Sequence, residues 1–82
     1  MKVNFKEIVI KDIEGNDVKA DFSKQIGNQL YMQGINIEEC ELGKKIYFDG
    51  EVELTDKDAE VVKRITAGYS LVARTAIESA LK

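Results

Sequence analysis

Histidine is absent from the 82 residues, which removes the commonest general base and the commonest metal ligand. Cysteine occurs once, as Cys40, so no internal disulfide framework can form. Glu38, Glu39 and Glu41 surround it, a poor setting for a thiolate nucleophile, and Cys40 is expected to be a buried packing residue. Proline and tryptophan are missing. No apolar run approaches the ~20 residues that span a bilayer. The start, MKVNFKEIVI, lacks the apolar core and small-residue cleavage site of a signal peptide. A cytoplasmic protein with no membrane partner is the expectation. A basic excess is also lacking. The net charge is −3, with 5 basic and 8 acidic residues in 1–41 and 7 of each in 42–82. Nucleic-acid binders draw much of their affinity from neutralising phosphates, so a nucleic-acid partner is not expected. Nor is the chain acidic enough to mimic DNA. Glycines 15, 27, 34, 43, 50 and 68 are too dispersed to cradle a phosphate, and no cofactor is implied.

What is present describes one small domain, 1–82. Apolar residues make up 44% and charged residues 33%, ordinary for a globular domain. A chain this short has a limited core, which favours oligomerisation or very good packing. VNFKEIVI (3–10) is rich in β-branched and aromatic residues, and VKADF (18–22) places Val18, Ala20 and Phe22 on one face. Between them Glu14-Gly15-Asn16-Asp17 tolerates positive φ. The pattern predicts an N-terminal β-hairpin. Ser23 is a candidate N-cap for a helix over 23–33, with Ile26, Leu30 and Gln33 sharing a face, Tyr31 at its edge and Gly34 as its stop. Gly27 lowers helix propensity there by up to about 1 kcal/mol relative to alanine.

Asn36 with Glu39 resembles a capping box for a helix over 37–48, with Lys44 and Lys45 near its end, as the helix dipole prefers. IYFDGEVEL (46–54) has two readings. One is a helix end, a turn and a short extended stretch at 51–54; the other is a second hairpin around Asp49-Gly50. The first is favoured. Thr55 precedes Asp56, Asp58 and Glu60 and marks a clear helix start, with Ala59, Val62, Ile65 and Thr66 as the buried stripe.

KRITAGYSLVARTAI (63–77) raises a choice. The stripe Val62, Ile65, Tyr69, Val72, Ala76 runs through Gly68 at helical spacing, which would give one rod over 56–81 of roughly 39 Å. Alternatively Gly68 takes a left-handed C′ position and Ser70 caps a new helix. The break is favoured, giving helices over 56–67 and 70–81. A DNA-reading helix-turn-helix wants a small residue four before the turn glycine and a branched apolar residue six after it. Arg64 and Arg74 stand there, and both tests fail.

GNQLY, a polar helix, GEVELTDKDAEVVKRI and a tyrosine-led C-terminal helix together resemble small uncharacterised proteins encoded by tailed phages and prophages, over about residues 21–82. The resemblance implies a mobile-element origin and a helix boundary near the tyrosine. It carries over no functional residue and does not involve the N-terminal hairpin.

The acidic run DGEVELTDKDAE does not fit a calcium loop, which requires glycine at its sixth position. From Asp49, acids fall at the first, third, fifth and twelfth positions (Asp49, Glu51, Glu53, Glu60), but Leu54 is sixth. From Asp56, Val61 is sixth and Ala67 twelfth. Helix capping and a solvated face account for the cluster, and no metal is expected. Tyr31 and Met32 could form a stacking surface, but core packing is the better expectation.

The sequence therefore predicts an α+β domain, with the hairpin (3–10 and 18–22) packed on three or four helices. The functional expectation is a non-enzymatic protein-interaction or assembly module of phage or prophage origin, located in the cytoplasm of the host cell and self-associating through its last helix. Gly68, Tyr69, Val72, Ala73, Ala76, Ile77 and Ala80 are the candidate homodimer interface. The alternative is a small regulator that binds nucleic acid or a host enzyme, with Lys44-Lys45 and Lys63-Arg64 as its candidate basic surface.

Overall fold

The computed structural model describes residues 1–81. Its elements run β1 (Lys2–Asn4), β2 (Ile8–Lys11), β3 (Asp17–Ala20), α1 (Ser23–Gln33), α2 (Ile37–Asp49), β4 (Glu51–Glu53), α3 (Asp56–Thr66) and α4 (Leu71–Ala80). The fold is α+β, with the β2–β3 hairpin packed against four helices.

The expected strand over 3–10 divides in two, and the cause is phase. A continuous strand alternates its faces, so Val3 and Phe5 would point one way and Ile8 the other. All three are buried. A bend after Asn4 rephases the chain, with the Lys6 amide donating to Asn4 Oδ1 at 3.0 Å. β1 then pairs antiparallel with β4, setting Val3 opposite Val52. β2 pairs antiparallel with β3 from Ile8–Ala20 to Lys11–Asp17. The hairpin turn is held by Asp12, whose Oδ1 accepts from the amides of Glu14 and Asn16, each at 2.9 Å. Gly15 supplies the positive φ of 85°. The predicted face of Val18, Ala20 and Phe22 is only half realised, because Val18 stands open to solvent while Phe22 leans on the core.

Ser23 is not the N-cap of α1. It is the first helical residue and is fully buried, and Phe22 at the cap position offers no side-chain bond. Asp21 takes the role instead. Its Oδ1 accepts from the Ser23 amide at 2.9 Å and from the Ser23 hydroxyl at 2.6 Å, a local bond typical of aspartate before a helix. Gln33, expected on the buried face, is exposed, and Gly27 is buried in that stripe beside Ile26 and Leu30.

Asn36 caps α2, accepting from the Glu39 amide at 2.9 Å. The reciprocal half of the box goes elsewhere, because Glu39 Oε1 accepts from the Ile35 amide at 3.2 Å. The helix runs on to Asp49, which leaves Lys44 and Lys45 short of its last turn. Gly50, at φ 75°, ends it, so Asp49-Gly50 is a helix stop and not a hairpin turn. α3 begins with a full capping box: Thr55 Oγ1 accepts from the Asp58 amide, and Asp58 Oδ2 from the Thr55 amide, both at 3.1 Å. Its predicted stripe of Ala59, Val62, Ile65 and Thr66 is buried.

The chain does break between α3 and α4, and Ser70 caps α4 by accepting from the Ala73 amide at 3.3 Å. Gly68 does not take a left-handed conformation, since Gly15 and Gly50 are the positive-φ residues among those described. Ala67 stays right-handed and the Tyr69 amide closes on the Thr66 carbonyl at 3.0 Å. The core gathers around Phe5, Ile8, Ile26, Leu30, Ile46, Val62 and Ile77, with α4 lying along β2.

Candidate interaction surface

α1 and α2 form an antiparallel pair, and two glycines face each other where they meet. A Cβ on Gly27 would stand 2.7 Å from the Gly43 carbonyl oxygen, and one on Gly43 would stand 2.7 Å from the Gly27 carbonyl oxygen. Such distances exclude any side chain, so the two backbones touch directly. Above this crossing lies an open groove of about 230 Å³, bordered by Tyr31, Tyr47, Phe48 and Lys44. Tyr47 and Phe48 meet edge-on at 5.0 Å, and Lys44 Nζ lies 5.7 Å from the Tyr31 ring centre. The expectation of core packing for Tyr31 and Met32 fails, because Tyr31 is 50% exposed and Met32 more so. Ile35, Ile37 and Phe48 are also open to solvent. Cys40 is half-buried at the edge of this surface, its Sγ 3.5 Å from the Tyr31 carbonyl.

Two polar links lock the helices beneath. Glu39, nearly fully buried, receives two hydrogen bonds from the Arg64 guanidinium, one of them from Nη1 to Oε2 at 3.4 Å. The Arg64 bonds hold its carboxyl below the ordinary value of 4.5, against the opposing effect of burial. Gln29 on α1 donates to the Ile65 carbonyl at 2.8 Å and accepts from the Tyr69 hydroxyl at 2.6 Å. Burial raises the Tyr69 pKa above 10.0. Both links explain polar residues that would otherwise sit awkwardly against apolar neighbours.

The candidate interface residues separate on the structure. Ile77 is fully buried and serves the core. Tyr69, Ala76 and Ala80 are partly buried against it, and Ala73 is half-buried. Gly68 and Val72 are exposed, but Gly68 lies in the turn and does not extend a helical row of small residues. The open side of α4 instead carries Leu71, 68% exposed, and Val72, 54% exposed. With Val9, Thr75, Ala76 and Ser79 they line a trough of about 510 Å³ beside β2. Leu71, Thr75 and Ser79 were not foreseen, since nothing in α4 alone shows which arc β2 leaves uncovered.

Three of the four basic residues of the alternative reading, all but Lys45, are engaged with acids. Lys44 lies 3.5 Å from Glu41, Lys63 lies 3.8 Å from Glu60, and Arg64 holds Glu39. The acidic run is dispersed in space: Glu51 lies 3.6 Å from Lys2, Glu53 3.2 Å from the chain's amino group, and Asp58 caps α3. Among the described residues, no three Asp, Glu or Cys side chains gather as metal ligands, and no helix is long and apolar enough to cross a membrane. No family model, curated protein or solved structure matches the chain.

Proposed function

We propose that this chain is a non-enzymatic protein-interaction module that pairs with a second copy of itself through the outer side of α4. The supporting observation is the apolar trough in which Leu71 and Val72 stand open beside Val9. Ala76, Thr75 and Ser79 are small, which lets a partner backbone approach closely. Lys11 is the charged residue along this trough and is paired with Asp17 at 2.6 Å, so it brings little net charge to a like surface. An isologous two-fold contact, the commonest oligomer form, needs only one self-complementary patch. The same proposal includes a phage or prophage origin and a place inside the host cell, for which the GNQLY and GEVELT segments are the support. A regulator that contacts nucleic acid has less in its favour, because Lys44, Lys63 and Arg64 of its candidate basic surface already face carboxylates.

The test is Val72→Asp, a charge placed on the open arc away from the core. Pairing should be lost while the helical circular dichroism stays the same. A variant that associates as strongly as the natural chain would remove α4 from the interface.

A further inference from the structure

The tip of the β2–β3 hairpin and the groove over the glycine crossing have opposite characters. Ile13 is 103% exposed, as open as a residue in an isolated peptide. Asp12 and Glu14 flank it, and among the described residues neither carboxylate enters an ion pair. The tip is nonetheless stiff. Asp12 Oδ1 accepts two amides, the Asp12 amide donates to the Asn16 carbonyl at 2.9 Å, and the Gly15 amide donates to the Asp12 carbonyl at 3.0 Å. A side chain presented on a pinned turn loses little freedom on binding.

The groove between α1 and α2 is the complement. Its floor is the bare backbone at Gly27 and Gly43, its walls are Tyr31, Tyr47 and Phe48, and Lys44 is its charged lining residue. At about 230 Å³ it has room for one branched aliphatic side chain. Lys44 is shared with Glu41 at 3.5 Å, but an exposed pair of this kind is weak and yields readily to a new carboxylate.

We propose that Ile13 of one copy seats in the Gly27–Gly43 groove of a second copy, with Asp12 and Glu14 meeting Lys44. The contact is head-to-tail. Each bound copy keeps one tip or one groove unused, so the association extends into chains unless its rotation closes a ring. It is independent of α4 pairing and uses a different face. The contact is far smaller than the about 1,200 Å² of a stable interface, so it forms at millimolar and not micromolar concentration.

The experiment uses nitrogen-15 amide spectra of full-length Val72→Asp chains, in which α4 pairing plays no part. Raising the concentration to the millimolar range should shift the amides of Gly27, Gly43 and Tyr47 together with those of residues 12–16. Ile13→Asp, at a position with no packing neighbours, should abolish the shifts when present alone. Labelled Ile13→Asp mixed with unlabelled chain that keeps Ile13 should recover the groove shifts and not the tip shifts. Lys44→Glu should remove them, and Glu14→Lys added in the partner, which leaves the Asp12 turn intact, should restore them. Groove amides that stay still at millimolar concentration, or that move equally with Ile13→Asp alone, would overturn the proposal. A micromolar dimer lost in Val72→Asp concerns α4 only and leaves this result separate.

Discussion

Gly27 and Gly43 show how one hydrogen in place of a side chain fixes a helix pair. Alanine favours a helix over glycine by up to about 1 kcal/mol, so propensity alone makes Gly43→Ala stabilising. Geometry opposes this, because the added Cβ meets the Gly27 carbonyl oxygen at 2.7 Å and the Tyr31 amide nitrogen at 2.8 Å. These are backbone atoms of a packed helix and cannot swing aside. Overpacking of this kind costs about 1–3 kcal/mol, and Gly43→Ala should destabilise on balance, read as an earlier urea midpoint. The pairing was legible in principle: Gly27 and Gly43 are each eight residues from Ile35, so folding two helices about that loop sets them opposite. Viewed singly, each glycine is only a weak helix residue. Glu39 yields a second prediction at this scale. Arg64 depresses its carboxyl below 4.5, so the folded state binds fewer protons than the unfolded one just below that pH. The stabilisation is complete above the unfolded value and is lost as pH falls through the folded one. The stability difference between the natural chain and Arg64→Met should therefore be large near neutrality and shrink below about pH 4.5, measured by denaturant melts across pH. A difference that stays constant into acid would mean that the pair is not formed.

Among the elements, capping residues were the readable part. Thr55, Asn36 and Ser70 each accept the amide three positions further on, and the helix starts followed from them. Strand partners were not readable. β1 and β4 are three residues each and are separated by most of the chain, so no local turn announces their pairing. What joins them is burial of Val3 and Val52, a tertiary effect. Ser23 misled because its hydroxyl suits a cap, yet Asp21 two residues earlier outcompetes it. The α3–α4 break was legible from Gly68 and Ser70, but not its conformation. Gly68 lacks positive φ and a Cβ there meets nothing within 4 Å. Gly68→Ala should therefore stabilise by about 0.4–1 kcal/mol through the unfolded chain, the reverse of what a left-handed C′ glycine gives. Ser70→Ala should cost about 0.5–2 kcal/mol, because it removes the cap of α4. Thermal melts of the two variants check both signs, and a destabilised Gly68→Ala would contradict the turn described above.

For the whole molecule, the apolar residues fall into a single core and several uncovered sites, among them the α4 trough, the Tyr31 and Phe48 surface and the Ile13 tip. The core is complete without α4's outer arc, because Ile77 and Leu81 turn inward and satisfy it. Leu71 and Val72 then face solvent at the start of the same helix, beside Val9. In the sequence these inward and outward residues merge into one apolar band, which is why the candidate interface mixed Ile77 with Val72. Leu71, Val72 and Val9 are the surface through which self-pairing is proposed, a contact that needs no second component. Sedimentation equilibrium at micromolar concentration measures this most directly. The account predicts a species of twice the 9.2 kDa chain mass for the natural protein, reduced to 9.2 kDa in Val72→Asp; a natural protein that sediments only at 9.2 kDa would contradict it.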